Sequence, residues 1–407
     1  MFNLSKQKTS VDEKEIDELL TRGVENVFPT REFLKAKMMR GERVTLYLGI
    51  DPTGPTLHMG HVIPILKLKK FQQMGHQIIL LMGDFTAMIG DPSDKTATRK
   101  KLSHDEVMKN LEGYKKQASK FISFSGPNGA LFKFNSKWLG KLNFEDVLNL
   151  ASEMTVQQML ERDMFQNRVK EGKPIYIHEF MYPLMQGYDS VAMDVDGEIG
   201  GNDQTFNMLA GRNLMKSLKN KEKFVIAMKL LVDPTGKKMG KTENNMVAMN
   251  QSPEEIFGKV MSWADEMVVP GLELITDVPM PDIASAKESM DSGNNPKEHK
   301  VFLAREVVKM CYGEKEADRA EAEFENTFSK GGVPENVLEV TVAKNTSLVD
   351  ILMVEQVVVS KSDFRRLVAE GAVTSMSSGG KIVDPDVLVS EDTYKIGKRR
   401  FIKIKVL

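Results

Sequence analysis

The sequence predicts an α/β protein, and three observations lead to this fold class. A β-type run from Val44 to Ile50 passes through a turn of proline, glycine and threonine into a helical pattern. A second run, His76 to Met82, is apolar on both faces, as are the strands of buried parallel sheets. Beyond residue 250 the pattern becomes helical and ends in a basic tail. A chain of 407 residues is therefore expected to form about two or three domains.

The first domain, placed at residues 1–250, is predicted to be a Rossmann-like, parallel-sheet nucleotide-binding domain. The helix between the two strands makes them a βαβ unit, and further strands are expected near Ile199 and in part of Lys223–Val232. Two helical stretches accompany this sheet. Residues 11–39 have helical periodicity, with Thr30 as the N-cap of a second short helix, and residues 102–165 form a mostly helical insertion.

Two further domains are predicted. Residues 251–330 form an α-helical domain, which begins at Ser252–Glu255 with an N-cap, a proline at N1 and acids in the first turn. Residues 341–407 form a small α+β domain. It contains two short helices, the second capped by Ser362, followed by a hairpin that turns at Gly379–Gly380.

Composition indicates a cytoplasmic protein without a membrane segment. Hydrophobic residues make up 41% and charged residues 28%, no apolar run approaches the roughly 20 residues that cross a bilayer, and the N-terminus is charged. The single cysteine, Cys311, has no partner for a disulfide or a metal cluster and reads as a core residue. The net charge of −1 conceals a basic C-terminal region, so a nucleic-acid contact must be local.

His58 and His61 lie where the helix of the βαβ unit begins. Both imidazoles and the free N–H groups of the first turn can face one anion, which predicts a phosphate site. Gly60 is expected to let a nucleotide approach the backbone. The alternative is a βα turn that happens to carry two surface histidines.

A loop at the C-terminal end of the second strand carries both acids and bases. Ligands sit at this edge of open α/β sheets, and Asp84 and Asp91 are candidates to bind a cation or an amine. Lys95, Arg99, Lys100 and Lys101 form a basic flank. This flank is either a solvated loop face or a mobile phosphate clamp.

Tyr182, Gln186 and Asp189 are spaced to share one face of a helix. Polar groups in the place of an apolar stripe predict a polar pocket, because buried groups of this kind need partners. A glycine-rich turn follows a short strand and would bring backbone N–H groups and a carboxylate close to a ribose or an amine; it contains Gly200, Gly201, Asp203 and Gln204.

A second candidate phosphate site is the loop from Asp233 to Asn245. It contains Lys237, Lys238, Lys241 and Thr242 between glycines. Lysines on a mobile loop can close over a polyphosphate, although such a loop by itself is weak support.

Taken together, His58–His61 and Lys238–Thr242 resemble the two signature motifs of the class I aminoacyl-tRNA synthetases. The YxGxDPT opening, the GDPS loop, the Tyr182 helix and the GGNDQ turn are similar to bacterial tyrosyl-tRNA synthetases, from about Tyr47 to the C-terminus. Gly240 and Thr242 stand where the general class pattern has serine, a form that tyrosyl enzymes often show. Leu48 replaces a ribose-contacting cysteine of some relatives, so that contact is not expected.

The resemblance implies a role for each candidate residue. Tyr47 and Asp189 would hold the hydroxyl of tyrosine, and Asp91, Tyr182 and Gln186 its ammonium. The resemblance assigns the phosphates, the ribose and the departing pyrophosphate to Thr53, His58, His61, Lys95, Arg99, Lys238, Lys241 and Thr242. It assigns the remainder of the ATP site to Gly49, Asp51, Gly60, Gly201, Asp203 and Gln204.

The implied reaction joins tyrosine and ATP to give tyrosyl-adenylate and pyrophosphate, followed by transfer of tyrosine to the 3′ end of tRNA-Tyr. No dedicated metal site is expected, since Mg²⁺ would arrive with ATP. The resemblance also implies a homodimer. The tail resembles an S4 RNA-binding domain, whose candidate phosphate contacts are Arg365, Arg366, Lys395, Lys398, Arg399 and Arg400. The alternative for these basic residues is a solvated rim.

Other functions compete with this one. A tryptophanyl-tRNA synthetase is the nearest alternative by fold, and the paired Tyr47 and Asp189 disfavour it. A small-molecule nucleotidyltransferase has no reason to carry the Tyr182 helix or an RNA-binding tail. A synthetase-like RNA-binding or splicing auxiliary would not need intact signature histidines and lysines.

Overall fold

The computed structural model describes residues 8–91, 102–239, 246–329, 337–397 and 400–406. The chain divides into two compact units, Met1–Ala317 and Asp318–Leu407. The boundaries of the three domains expected from the sequence stay predictions. Among the described helices, none has both the length and the apolar character that crossing a membrane requires.

A six-stranded sheet is the centre of the first unit. Its strands are β1 (Val24–Phe28), β2 (Thr45–Ile50), β3 (Gln77–Met82), β4 (Leu131–Phe134), β5 (Gly197–Gly201) and β6 (Phe224–Met228), in the order β1-β6-β5-β2-β3-β4. All neighbours are parallel except β1 and β6. The predicted α/β class with a parallel sheet is confirmed.

The order of the strands reverses between β2 and β5, because β3 and β4 extend the sheet on one side of β2 and β6 extends it on the other. β2 pairs with β3 in register along its whole length, from Thr45 to Ile50. Its register with β5 covers Leu46↔Gly197 and Tyr47↔Glu198. A reversal of this kind leaves a crevice at the carboxyl ends of the strands, where ligands bind in open α/β sheets.

Within the described residues of the chain, twelve α-helices accompany the sheet and five more follow it. The first group is α1 (Glu13–Thr21), α2 (Arg31–Met39), α3 (Met59–Gln73), α4 (Thr86–Ile89), α5 (His104–Leu111), α6 (Tyr114–Ala118), α7 (Ser136–Leu139), α8 (Phe144–Ala151), α9 (Val156–Leu160), α10 (Asp163–Lys170), α11 (Ile177–Met193) and α12 (Thr205–Lys219). The second group is α13 (Pro253–Met261), α14 (Val268–Ile275), α15 (Met280–Asp291), α16 (Pro296–Tyr312) and α17 (Glu314–Phe324). Ser252 and Glu255 form the predicted capping box at α13.

The N-terminal region differs from the helical prediction, because β1 lies between α1 and α2. Gly23 has φ of +64°, which ends α1 and directs Val24 into a strand that pairs with β6. Five strand residues between two helices are too few to disturb the helical periodicity of the sequence. Thr30 caps α2 as predicted, and its hydroxyl accepts a 3.2 Å hydrogen bond from the N–H of Phe33. β4 was likewise missed within the helical insertion.

Close packing of α11 against α12 positions the polar face of α11. A Cβ added at Gly187 would lie 3.2 Å from the Cα of Gly211, so both glycines are needed where the helices cross. Leu184 and Leu214 belong to one apolar cluster of this interface. The apolar side holds α11 in place while its polar side chains face the end of the sheet.

After α17, which extends into it, the described residues of the second unit form two α-helices and a mixed four-stranded sheet. These are α18 (Leu348–Val354), α19 (Lys361–Ala369), β7 (Leu338–Val342), β8 (Val373–Ser375), β9 (Asp392–Ile396) and β10 (Arg400–Val406), with strand order β7-β10-β9-β8. The cap of α19 is Ser360 rather than Ser362, since the Ser360 hydroxyl accepts the N–H of Asp363 at 3.1 Å. The expected turn is present at Gly379–Gly380, where Ser375 donates its N–H to the carbonyl of Gly380.

Candidate active site

A cavity of about 440 Å³ lies at the point where the strand order reverses. It is lined by the carboxyl ends of β2 and β5, the start of α3 and one face of α11. Sixteen of the described residues predicted from the sequence line it: Gly49, Asp51, Thr53, His58, Gly60, His61, Asp91, Tyr182, Gln186, Asp189, Gly200, Gly201, Asp203, Gln204, Lys237 and Lys238. The predicted residues Lys95, Arg99, Lys241, Thr242, Lys398 and Arg399 lie outside the described part of the chain.

The two histidines of the first signature stack at the N-terminus of α3. Their ring centroids are 3.8 Å apart, and the His58 N–H donates to His61 Nδ1 at 3.2 Å. The start of the helix thus presents imidazoles together with the N–H groups of its first turn, a combination suited to an anion.

Strand-like hydrogen bonds join the first signature to the chain that follows the second. Met59 donates its N–H to the carbonyl of Val247 at 3.0 Å, and Met249 donates to the carbonyl of Leu57 at 2.9 Å. A Cβ at Gly60 would lie 3.1 Å from the His58 ring and 3.4 Å from the Met239 carbonyl oxygen. Gly60 therefore leaves space for the His58 ring and the Met239 carbonyl group, whereas the sequence suggested only that it leaves space for a nucleotide.

Lys238 of the second signature contacts the opposite wall of the cavity. Its Nζ lies 2.5 Å from Asp203 Oδ2, which follows β5. The side chains are 46% and 29% exposed, so the pair is open to solvent and to a ligand. A group predicted to bind phosphate and a group predicted to bind the nucleoside thus meet in one place.

A chain of hydrogen bonds links Asp51 to Asp189. Asp51 accepts the hydroxyls of Tyr182 at 2.8 Å and Thr86 at 2.7 Å. Asn135 donates to the Thr86 hydroxyl at 3.0 Å and to Asp189 at 3.3 Å. Asp51 therefore contacts Tyr182, a residue predicted to bind the amino acid, although Asp51 itself was predicted for ATP. Asn135, which directly follows β4, and Thr86, in the short helix α4, were not predicted as site residues because neither belongs to a pattern that indicates a ligand.

Asp189 is buried at the end of the cavity. Trp138 Nε1 donates to its Oδ1 at 2.7 Å, and burial raises the pKa of this carboxyl group well above its usual value. Each carboxylate oxygen can still accept a further hydrogen bond. Asp189 is thus placed to meet a polar group that enters the cavity.

Tyr47 does not line the cavity, although it was predicted to act beside Asp189 on the substrate hydroxyl. Its ring is fully buried in a cluster with Ile79 and Val195. Its hydroxyl lies 3.0 Å from Ser190 Oγ and donates to the backbone carbonyl of Gln186 at 3.3 Å. Tyr47 alternates onto the same face of β2 as Gly49, but of these two residues only Gly49, nearer the carboxyl end of the strand, lines the cavity.

Asp91 lies between two partners that the spacing of the sequence did not indicate. Gln204 donates to Asp91 Oδ2 at 2.7 Å, so the amide predicted to contact ATP orients this carboxylate. Arg162 Nη2 lies 3.7 Å from Asp91 Oδ1. Asp84, also predicted to bind a cation, is outside the cavity and accepts the N–H and hydroxyl of Ser136 at the start of α7.

The predicted RNA-binding residues of the second unit differ in their surroundings. Arg365 is exposed on α19. Arg366 is held by Asp363 at 2.7 Å and Glu370 at 3.0 Å, which weakens its case as a phosphate ligand. Arg400 donates to the backbone carbonyl of Val357.

The fold and this cavity define a class I tRNA synthetase: the family model described as tRNA synthetases class I (W and Y) matches residues 39–329. The chain is 42% identical over 390 residues to a tyrosine–tRNA ligase of Haemophilus ducreyi, and 42% identical over 402 residues to that of Carboxydothermus hydrogenoformans. Each match covers 95% of this chain and 97% of the relative. The chain therefore belongs to the tyrosine–tRNA ligase family, which confirms the prediction drawn from the two signatures.

Solved structures share this fold. A C-terminally truncated mitochondrial tyrosyl-tRNA synthetase of Coccidioides posadasii is 26% identical, with a TM-score of 0.62, over 76% of this chain and 91% of that one. The tyrosyl-tRNA synthetase of Archaeoglobus fulgidus, solved with L-tyrosine, shares the fold at 21% identity and a TM-score of 0.60, over 76% of this chain and 100% of that one.

Proposed function

We propose that this chain activates L-tyrosine with ATP and transfers it to tRNA-Tyr. In the first step a carboxylate oxygen of tyrosine attacks the α-phosphorus of ATP, the bond from that phosphorus to the bridging oxygen breaks, and pyrophosphate leaves. In the second step the terminal ribose hydroxyl of tRNA attacks the tyrosyl carbonyl and AMP leaves. The substrates supply both nucleophiles, so catalysis by the protein depends on positioning and charge.

One observation carries this proposal. The first-signature histidines, Lys238 of the second signature and the polar face of α11 line a single cavity. Phosphate-binding groups at one end and Asp189 at the other are arranged to hold two reactants together. Proximity of this kind replaces a collision in solution by reaction within a complex.

The amino-acid side of the cavity suits tyrosine. Asp189 accepts the phenol hydroxyl, and Asp91 with the amide oxygen of Gln186 receives the ammonium group. Phenylalanine brings no hydroxyl to Asp189, so the hydrogen bond that favours tyrosine is lost. The hydrogen bond from the Tyr182 hydroxyl to Asp51 connects α11 with the end of β2 on this side of the cavity.

The nucleotide side suits the triphosphate of Mg²⁺-bound ATP. His58, His61 and the first turn of α3 contact the phosphates, while Gly201 and Asp203 bind the nucleoside. Lys238, joined in the proposed complex by Lys95, Arg99, Lys241 and Thr242, compensates the negative charge that develops on pyrophosphate as it departs.

The second unit is proposed to bind tRNA in the cytoplasm. Arg365, exposed on α19, supplies a cation for RNA phosphates. Charge reversal in Arg365→Glu is expected to lower tRNA aminoacylation while leaving tyrosine-dependent ATP–pyrophosphate exchange unchanged. A loss of both activities contradicts a role confined to RNA.

We also propose a homodimer. Large apolar side chains are exposed on α8 and at the start of α11: Phe144 is 77%, Leu148 55% and Ile177 82% exposed. α8 and α11 share the apolar cluster that contains Leu150 and Leu184. Exposed apolar groups on adjacent elements are typical of an interface. Sedimentation velocity should show a dimer that Leu148→Asp dissociates, and a monomeric unsubstituted protein contradicts the proposal.

ATP–pyrophosphate exchange with tyrosine, tryptophan and phenylalanine in parallel tests the main proposal. We expect exchange with tyrosine, and then charging of a tRNA-Tyr transcript. Exchange with tryptophan in place of tyrosine indicates the tryptophanyl alternative. RNA binding without exchange indicates the auxiliary, and either result overturns the proposal.

A further inference from the structure

A buried ion pair between Lys223 and Glu198 lies beside the cavity, and the proposed function uses neither residue. Their side chains are 0% and 1% exposed. Glu198 belongs to β5 and lines the cavity, while Lys223 directly precedes β6. Besides Glu198, Lys223 Nζ donates to Ser190 Oγ at 2.7 Å and to the carbonyl of Met208 at 3.3 Å. The three partners match the three donors of an ammonium group.

The packing of α11 on α12 makes room for this ammonium group. A Cβ at Gly211 would lie 2.6 Å from Lys223 Nζ and 3.0 Å from Ser190 Oγ. Burial lowers the pKa of Lys223, and the negative charge of Glu198 opposes that shift. The interior thus holds a charged pair at a place where an apolar pair of similar volume would also fill the space.

Glu198 determines which end of the Gln186 amide faces the cavity. Gln186 Nε2 donates to Glu198 Oε1 at 2.9 Å. An ionised carboxylate can only accept hydrogen bonds, so the amide nitrogen must face Glu198. Gln186 lines the cavity, and within the described part of the chain its Oε1 has no hydrogen-bond partner. A ligand therefore meets a hydrogen-bond acceptor at this position.

We propose that Glu198, held in place by Lys223, is a positioning residue that fixes the Gln186 amide and so makes the site selective for a ligand with an ammonium group on its α-carbon. The inference rests on the proposed function, because that ammonium belongs to tyrosine. A neutral amide in place of Glu198 can offer either its oxygen or its nitrogen to Gln186. The acceptor facing the cavity is then no longer enforced, and a cation loses more than a neutral group does.

Two ligands that differ at one group test this role in the full-length protein. L-tyrosine carries the α-ammonium, and 3-(4-hydroxyphenyl)lactate has a hydroxyl in its place. Their dissociation constants are measured by calorimetry. In Glu198→Gln we expect tyrosine binding to weaken about tenfold or more, because a hydrogen bond to a charged group is stronger than one between neutral groups. Binding of the hydroxy acid should weaken by about threefold or less, since it is a neutral donor.

A second variant also removes the positive charge of Lys223, which Glu198→Gln leaves without its carboxylate partner. In Glu198→Gln/Lys223→Met no unpaired charge remains, and replacement of a whole buried pair is often tolerated. We expect the double variant to fold and to show the same reduced preference for tyrosine over the hydroxy acid. If the dissociation constants of both ligands rise by the same factor in the two variants, the inference is overturned and Glu198 has only a structural role.

Glu179→Gln is the matched control. Like Glu198, Glu179 is a buried carboxylate, but it lies on α11, pairs with Arg168 at 2.7 Å and does not line the cavity. This variant should leave the ratio of the two dissociation constants unchanged, and a changed ratio counts against a specific role for Glu198. Failure of the unsubstituted protein to bind tyrosine removes the proposed function itself. Normal binding with an unchanged ratio in both Glu198 variants removes this inference alone.

Discussion

The hydroxyl of Tyr182 donates a 2.8 Å hydrogen bond to Asp51 Oδ2, across 131 positions of sequence. Asp51 follows β2 and Tyr182 lies on α11, so this bond joins the two sides of the cavity. Burial also raises the pKa of Tyr182 well above its usual value, which keeps the phenol a donor at every physiological pH.

Tyr182→Phe should raise the KM for tyrosine about tenfold, because a hydrogen bond to a charged group is worth roughly 1.5–3 kcal/mol. ATP–pyrophosphate exchange measures this, and the KM for ATP should change less. Tyr394→Phe is the control, since Tyr394 is also buried and its hydroxyl bonds Ser390 within the second unit. Equal KM values for tyrosine in the two variants contradict the prediction.

Gly83→Ala should disable the cavity, since a Cβ there would lie 2.0 Å from Asp51 Oδ1 and 2.4 Å from Thr86 Oγ1. Asp51 must then move, and we expect the exchange rate to fall at least about tenfold, equivalent to about 1.4 kcal/mol. Gly258→Ala in α13 has no atom within 4 Å of the added carbon. It should keep full exchange activity and gain about 0.5–1 kcal/mol of stability. Normal exchange in Gly83→Ala would contradict the close contact.

Lys238→Met should separate activity from stability. A solvent-exposed ion pair such as Lys238–Asp203 contributes about 0–1 kcal/mol to folding, so the Tm should barely change. Loss of a cation that faces pyrophosphate should nevertheless lower the exchange rate by about tenfold or more. Lys287→Met, which removes an exposed pair with Asp291 on α15, is the control for both measurements. A large fall in Tm with unchanged exchange excludes the proposed role.

His76 should make the protein sensitive to mild acid. It is fully buried, its Nδ1 accepts the N–H of Val44, and burial lowers its pKa to about 4. Between pH 6.5 and pH 4 the unfolded chain therefore binds a proton that the folded protein does not. Stability is retained above pH 6.5 and is lost as the pH falls, by up to about 1.4 kcal/mol per unit.

His76→Asn keeps an acceptor near Val44 and does not titrate. Calorimetry at pH 7 and pH 5 measures the free energy of unfolding of both proteins. On going from pH 7 to pH 5 the unsubstituted protein should lose about 2 kcal/mol more of this free energy than the variant does. The carboxylates contribute equally to both proteins and cancel in the comparison. An identical pH dependence of the two proteins shows that His76 is protonated without penalty.

The sheet was predictable where the periodicity was long or unambiguous. β2 and β3 are each within about one residue of the predicted bounds, and α3 begins at the predicted histidines, because a buried strand, a turn and a helix follow one another. β1 was not predictable, since its pairing with β6 is formed by residues some 200 positions away. Local propensity carries no information on such a partner.

The residues of the cavity were predictable, whereas their pairing was not. Spacing placed Gln186 and Asp189 on one face of a helix, and the structure confirms that both line the cavity. No pattern shows that Gln186 meets Glu198 or that Glu198 meets Lys223, because these contacts depend on the pairing of β5 with β6 and on tertiary packing around α11. A carboxylate within the glycine-rich strand β5 and a lysine directly before the apolar strand β6 were the available signals.

The pairing between β2 and β5 is short. β2 and β5 share only the register Leu46↔Gly197 and Tyr47↔Glu198, whereas β2 and β3 pair along the whole length of both strands. The cavity opens at the carboxyl ends of these two strands, so reactants that contact both β2 and β5 connect the two strands where their pairing is short. Occupancy should therefore stiffen the backbone of β5 more than that of β3, and slower amide hydrogen exchange at β5 on adding tyrosine and ATP would reveal it.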